Sequence, residues 1–401
     1  MRSLAVLIGF FLILELSFFA LAIKVFKMNA FVMWGVFSYS LFAYSLFIFQ
    51  VASYDRAVGT SHSFYWSIGL MVVHIVPKLV AILFLLISYL LLLPFNWNAS
   101  AEVIQGRRKF IGQLGLGLAA LPLASIIYGL WKGKYNFKVI KKQLFFADLP
   151  KAFEGFKILQ ISDLHSGSFD NPDKIKYAVD LINKQDADVL LFTGDIVNTK
   201  AEEFHPWIST FKGLKEFPFG KFSVLGNHDY GEYVSWPSEQ AKQDNFEDIK
   251  ALHKKVDFDL LCNENRGIEK QGQRIQLIGV ENWGKNFKKA GDLKLASAGI
   301  AQNDFKVLMS HDPSHWELEV KNHPMNYQLT LSGHTHGLQF GIEIPGIFKW
   351  SPIQYVYKQW AGVYNHADRY INVNRGFGFH AFPGRVGIWP EISVLELKVK
   401  S

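Results

Sequence analysis

Four aspartates, one asparagine and five histidines stand in five short polar islands in the second half of this chain. All are residue types that hold metal ions. The islands read Asp163-Leu164-His165, Gly194-Asp195, Gly226-Asn227-His228-Asp229, Ser310-His311-Asp312 and Gly333-His334-Thr335-His336-Gly337. Asp163 and His165 lie two apart, so an extended backbone aims both side chains to one side. Asp195 can bridge two cations, because a carboxylate has two oxygens with lone pairs to spare. Asn227 offers a neutral carbonyl oxygen, and His311, His334 and His336 offer imidazole nitrogens. A mixed oxygen and nitrogen set without thiolate suits manganese, iron or zinc better than calcium. His228 is left over for proton transfer, with Asp229 or Asp195 adjacent to hold its ring.

Two divalent cations would bring four positive charges, and Asp163 with Asp195 would return two negative ones. A site left positive favours an anionic substrate such as a phosphate ester. Cations about 3.5–4 Å apart can share a hydroxide at neutral pH and clamp the attacking and leaving oxygens of an in-line displacement. A proton for the leaving group completes the requirements, and His228 is placed to supply it.

Each island follows a run that reads as a buried strand. Lys157–Ile161 runs into Asp163, Val189–Phe192 into Asp195, and Phe222–Leu225 into Asn227. Val307–Met309 runs into His311, and Gln328–Leu331 into His334. Between the first two strands, Ile175, Ala178, Val179 and Ile182 recur at helical spacing and predict a helix over Asp173 to Gln185. Ligands of open α/β sheets bind outside the carboxyl ends of strands, where rigid exits hold side chains beside a crevice. The glycines next to Asp195, Asn227 and His334 suit tight turns and close backbone approach.

The chain of 401 residues exceeds one ordinary domain, and its composition changes near residue 132. The net charge of +7 raises the question of nucleic acid, but the soluble half has no basic stripe interleaved with aromatics, so none is expected as a partner. The single cysteine, Cys262, excludes an intrachain disulfide and a thiolate-rich metal site. Three parts follow: a helical membrane module over 1–131, a basic linker over 132–148 and a catalytic domain over 149–401.

A spanning helix needs roughly 20 apolar residues. Four stretches qualify: Leu4 to Ile23, Phe31 to Ala52, Ile68 to Phe95 and Phe110 to Trp131. The first is too long, and too closely followed by a second, for a cleaved signal peptide. The third contains His74, Pro77 and Lys78. They read as a kinked helix with Lys78 snorkelling to the interface, and Glu15 is the one carboxylate in the other spans. Lysine and arginine counts do not set the orientation. Arg107-Arg108-Lys109 before a Gly/Ala/Leu run looks like an internal twin-arginine signal, which would send the catalytic domain out of the cytoplasm.

The ordered set D-x-H, G-D, G-N-H-[DE], a later lone His and G-H-x-H resembles the calcineurin-like metallophosphoesterase superfamily over about residues 145–398. The resemblance implies a four-layer αββα sandwich, here preceded by an all-α transmembrane module of about four helices. It implies one metal on Asp163, His165, Asp195 and His336, a second on Asp195, Asn227, His311 and His334, and His228 as proton donor. The activity implied is hydrolysis of a phosphoric mono- or diester by metal-bound hydroxide. A pyrophosphatase acting on a lipid-linked nucleotide, of UDP-diacylglucosamine type, is the alternative. A non-catalytic scaffold and a membrane sensor or transporter are the readings from other classes.

Leu149-Pro150-Lys151-Ala152-Phe153, Asn374-Arg375-Gly376-Phe377-Gly378, Arg385 and Pro390-Glu391-Ile392 are similar to the membrane-anchored branch. Arg375 and Arg385 either bind a phosphate oxygen or close loops. Leu338 stands where that branch usually has a glycine, and Phe379 to Gly384 is bulkier and more aromatic than its pattern, which bears on substrate choice. His205, His253, His315, His323, His366 and His380 lack such a context and read as surface or packing residues, His315 being the strongest exception.

Overall fold

The computed structural model describes residues 2–26, 29–90 and 100–400. By backbone packing these fall into two units, one built mainly from the residues up to Trp131 and the other from Lys132 onward.

The first unit holds four long helices: α1 (Arg2–Phe26), α2 (Ala30–Ala52), α3 (His62–Leu90) and α4 (Ala101–Trp131). Each contains a window long and apolar enough to cross a membrane. The end of the third expected span, residues 91–95, lies outside the described residues. Phe18, Ala22 and Val25 of α1 pack with Ala81 and Leu85 of α3 and Ala119 of α4, and small side chains at these crossings let the backbones approach.

At mid-length the bundle is polar inside. Lys78 Nζ lies 2.6 and 2.8 Å from the two Glu15 carboxylate oxygens and 2.8 Å from Ser40 Oγ. Tyr44 Oη donates to Glu15 at 2.5 Å, and His74 Nε2 lies 3.3 Å from the same carboxylate. The expectation that Lys78 snorkels is therefore corrected. It is buried and paired, because both oxygens of the Glu15 carboxylate and the Ser40 hydroxyl, from neighbouring helices, accept from its ammonium. The helix also continues through Pro77.

The second unit is built on two six-stranded sheets. The strands, in chain order, are β1 (Lys138–Phe146), β2 (Lys157–Ile161), β3 (Val189–Phe192), β4 (Lys221–Ser223), β5 (Asp259–Leu260), β6 (Glu264–Lys270) and β7 (Gln273–Gly279). They continue as β8 (Lys306–Met309), β9 (Leu329–Ser332), β10 (Ile342–Ile344), β11 (Phe348–Trp350), β12 (Gly362–His366), β13 (Arg369–Val373) and β14 (Glu391–Val399). The first sheet runs β1-β14-β2-β3-β4-β5 and the second β12-β13-β9-β8-β7-β6, with β10 and β11 forming a separate ribbon. Each sheet has a parallel run of four strands, β2 to β5 in one and β13-β9-β8-β7 in the other.

Strand alternation makes the layers. Ile158, Val189 and Leu191 of the first sheet meet Leu277, Val307 and Leu329 of the second in one apolar core between the sheets. Their alternate neighbours Leu159, Leu190 and Phe192 face the helices Pro172–Asn183 and Glu239–Lys255. Ile278, Leu308 and Ile371 face a third cluster around Trp316 on the far side. The result is the αββα sandwich.

The helix near 173–185 runs from Pro172 to Asn183. Asn171 caps it by accepting from the Lys174 amide at 3.1 Å, and Pro172 presets the first turn. Its buried stripe is Ile175, Ala178, Val179 and Ile182. The basic stretch read as a linker contains β1, which pairs in parallel with β14 from Lys138↔Glu391 to Phe146↔Val399. Leu144 and Phe146 are buried, while Lys138, Lys141 and Lys142 stay exposed, a charged face that suits an edge strand.

Candidate metal centre

The five islands converge where the carboxyl ends of the parallel strands of both sheets meet. Asp163 and His165 follow β2, Asp195 follows β3, and Asn227 and His228 stand just past β4. His311 follows β8, and His334 and His336 follow β9. Potential ligand atoms of Asp163, His165 and His336 lie within 4.8 Å of one another, as do those of His165, Asp195 and His228, and those of Asp195, His311 and His334.

Most of the shell is held by strained backbone. Asp163, His165, Asp195, His334 and His336 all have left-handed φ, between 47° and 71°. Side chains other than glycine adopt that region rarely, and runs of such residues cluster at ligand sites that the surrounding fold over-determines. Two neighbouring glycines are required for a different reason. A Cβ on Gly226 would stand 2.1 Å from Asp195 Oδ1, and one on Gly333 would stand 2.3 Å from Asp163 Oδ2. Any other residue there would fill the space the carboxylates occupy.

The two sheets are tied across the site. The His334 amide donates to both oxygens of Asp163 at 3.0 and 3.1 Å. His311 Nδ1 lies 2.7 Å from the Thr193 carbonyl oxygen, which fixes that nitrogen as donor and turns Nε2 toward the carboxylates. His311 Nε2 is 3.1 Å from Asp195 Oδ2 and 3.9 Å from Asp163 Oδ1. His165 Nδ1 meets Asn198 Oδ1 at 3.2 Å, and its Nε2 lies 3.4 Å from Asp195 Oδ2. His336 Nε2 lies 3.2 Å from Asp163 Oδ1. On the far side, His334 Nδ1 faces Asn227 Oδ1 at 2.7 Å, and its Nε2 reaches Tyr357 Oη at 2.9 Å. Asn227 is oriented because its amide donates to Tyr233 Oη at 2.6 Å.

These close approaches do not close into hydrogen bonds everywhere. Among the described residues, the buried Nε2 atoms of His311 and His336 have no hydrogen-bond partner of acceptable geometry. Orphaned buried nitrogens of this kind call for an explanation, and converging acceptors around a shared space supply one. The residues present therefore fit divalent cations.

Electrostatics agree with that reading. Burial alone would lift both carboxyls, but His336 and His311 hold Asp163 below its ordinary range, and His311 and His228 hold Asp195 well below it. Burial would lower His311, yet Asp195 and Asp163 outweigh it and raise the imidazole to about 10. Burial pushes His165, His228 and His334 down, which keeps them neutral.

Asp229 lies 0% exposed and accepts from the amides of Asp195, Ile196, Val197 and Gly226, so it staples two ligand loops together. The group that holds the His228 ring is instead the Asn198 carbonyl oxygen, 2.7 Å from Nδ1. Arg375 pairs with Glu391 and, at 2.5 Å, with Glu343. Arg385 is fully buried and donates to the carbonyls of Gly376 and Gly378, with Nη2 3.2 Å from His336 Nδ1. Both arginines thus tie loops together, while the buried Nη1 of Arg385 has no hydrogen-bond partner among the described residues. His315 lies outside the cluster, bound to Ser310 Oγ at 2.8 Å and stacked on Trp283. Leu338 adopts φ 54°, the conformation a glycine at that position would take freely.

Sequence reasoning missed Asn198, Tyr233, Tyr357 and His380. The first three act through a backbone carbonyl, a loop or a distant segment, with no local spacing to betray them. His380, read as a surface or packing residue, stacks on His165 at 4.8 Å between ring centroids.

Comparison with known proteins adds the following. Residues 156–338 match the calcineurin-like phosphoesterase family, and residues 1–134 match a family described as probable calcineurin-like phosphoesterase, transmembrane domain. The uncharacterized metallophosphoesterase YkuE of Bacillus subtilis is 29% identical, over 62% of this chain and 82% of its own length. A transmembrane protein with metallophosphoesterase domain from Bos taurus is 27% identical, over 75% of this chain and 66% of its own length. The UDP-2,3-diacylglucosamine pyrophosphatase LpxG of Chlamydia muridarum is 24% identical, over 59% of this chain and 80% of its own length.

Proposed function

The chain belongs to the calcineurin-like metallophosphoesterases, hydrolases of phosphoric ester bonds, and on that premise we propose that its islands hold two divalent cations and hydrolyse a phosphoric mono- or diester. Asp163, His165, Asp195 and His336 would hold one cation. Asp195, Asn227, His311 and His334 would hold the other, His334 through Nδ1, the nitrogen that faces Asn227 Oδ1. Manganese, iron and zinc all suit this donor set. Bound cations supply Lewis acidity toward the phosphoryl oxygens and make water a nucleophile at neutral pH.

The protein's own part is positioning and proton transfer. Asn198 holds His228 Nδ1 as donor, so Nε2 of the neutral ring is the free atom that takes up a proton, from the attacking water or from solvent, and returns it to the leaving oxygen. As the attacking water bonds to phosphorus, the bond from phosphorus to that oxygen breaks, and no side chain bonds to phosphorus. Asp229 fixes the two loops, and Arg375 and Arg385 hold the segment behind His336.

The observation that supports this reading best is the three interlocking triads of ligand atoms, with two buried imidazole nitrogens left without hydrogen bonds. The test is Asp195→Asn in the full chain with added manganese. Loss of at least about a thousandfold in bis(p-nitrophenyl) phosphate hydrolysis, together with loss of bound metal, is expected. Full, chelator-resistant activity would overturn the proposal.

A second reading, hydrolysis of a phosphoanhydride in a lipid-linked nucleotide, is favoured by the relatives named as diacylglucosamine pyrophosphatases and by the four apolar helices. Arg107-Arg108-Lys109 near the head of α4 supports a catalytic unit outside the cytoplasm. Protease added to sealed, right-side-out vesicles should then cut that unit, and protection would reverse the assignment.

A further inference from the structure

The short ribbon of the catalytic unit is inside out. In β10 and β11 the residues pair as Ile342↔Trp350, Glu343↔Lys349 and Ile344↔Phe348. Successive residues of a strand face opposite sides, so the charged pair shares one face and the two apolar pairs share the other. The charged face is bound to the rest of the unit. Glu343 accepts from Arg375 Nε at 3.0 Å and from its Nη2 at 2.5 Å. Lys349 Nζ donates to the Ala361 carbonyl oxygen at 2.5 Å and to Tyr364 Oη at 3.0 Å. The opposite face leaves Ile342, Ile344 and Phe348 exposed. A ribbon facing water would carry the reverse pattern, with apolar residues inward and charges outward.

The apolar face continues beyond the strands. Pro345 and Gly346 make the turn, closed by the Ile347 amide donating to the Ile344 carbonyl at 3.0 Å, and Ile347 stands 83% exposed at the tip. No residue from Ile344 to Phe348 carries a charge. Just past β11, Tyr355 and Val356 are 78% and 69% exposed, and Tyr355 is hydrogen-bonded to Trp350 at the base of the ribbon. A contiguous apolar surface of this kind marks a place where something else docks.

The rest of the chain says what docks there. Four helices apolar enough to cross a membrane precede the catalytic unit, and six residues, 132–137, separate α4 from β1. Six residues extend at most roughly 22 Å, so a bilayer around those helices is always within reach of the unit. An uncharged apolar tip with aromatic rings at its base suits the boundary between acyl chains and headgroups. We infer that the β10–β11 ribbon dips into the bilayer interface by its Ile342, Ile344, Ile347 and Phe348 face and holds the catalytic unit at the lipid surface. The inference does not depend on the two-cation reading.

The test uses the full chain in phospholipid nanodiscs, spin-labelled at Ile347→Cys or at Glu269→Cys, each in a Cys262→Ser background. Glu269 is exposed and pairs with Arg274 at the start of β7, the end opposite the strand exits. At position 347, collision with oxygen, which concentrates in lipid, should exceed collision with a water-soluble nickel chelate by about threefold or more, and at position 269 the order should reverse. Ile344→Cys, on the same face, should repeat the result at 347. Nickel access at 347 and 344 equal to that at 269 would leave the ribbon in water and overturn the inference. Labels shielded from both reagents would put a protein surface, such as a second copy of this chain, on the ribbon and overturn it as well.

Discussion

Two of the buried polar clusters among the described residues differ in what they leave undone. In the membrane helices, Glu15, Ser40, Tyr44, His74 and Lys78 satisfy one another across three helices. In the catalytic unit, two carboxylates and five imidazoles converge with like charges adjacent, strained backbone and orphaned nitrogens. The first cluster is complete and specifies how α1, α2 and α3 meet. The second is incomplete by itself and specifies a guest. Charge and burial alone do not separate these two clusters, whereas hydrogen-bond completeness does.

The sharpest way to break this contrast is to unbalance the closed cluster. Lys78→Met leaves Glu15 buried without its counter-ion, and a loss of about 3–5 kcal/mol is expected in unfolding of the full chain in detergent. Glu15→Gln with Lys78→Met removes both charges, keeps an acceptor for Tyr44, and should recover more than half of that loss. A double variant as unstable as the single one would show that the pair is not a unit.

A smaller effect tests the open cluster. In the cation-free protein His311 is lifted to about 10 by Asp195 and Asp163 against the pull of burial. Its contribution to stability is fully present below its ordinary value of 6.5 and disappears as pH rises through 10. Cation binding needs the neutral ring, so manganese affinity should rise by up to about tenfold per pH unit between pH 7 and 9, with one proton released per site filled. Direct titration of manganese at several pH values checks this. A flat profile would mean that His311 is already neutral and that its ion pairs are not as described.

The candidate metal centre was legible because its expected ligands stand in local groups at the exits of apolar strands. Asp163 with His165, or His334 with His336, is visible as a pair before any folding is known. The layered fold was legible for the same reason, through strands whose residues are apolar on both faces and a helix stripe of Ile175, Ala178, Val179 and Ile182. What stayed hidden depends on distance along the chain. Glu15 and Lys78 are 63 positions apart, and no periodicity links them. β1 was hidden by its lysines, which suit an exposed edge and also suit a linker. Asn198 holds His228 with a backbone carbonyl, an atom every residue carries and no motif records. His380 lacks any patterned neighbour, and only tertiary packing brings it to His165.

The four amides gathered by Asp229 have a consequence for which cation the candidate centre would accept. Because that buried carboxylate locks the turn after β3 to the turn after β4, the spacing of Asp195 and Asn227 is set by the polypeptide and not by the occupant. Exchange of one divalent cation for another would then require no rearrangement of the chain. Which ion such a fixed site would hold would then depend on cellular supply and on the chemistry of the ion itself.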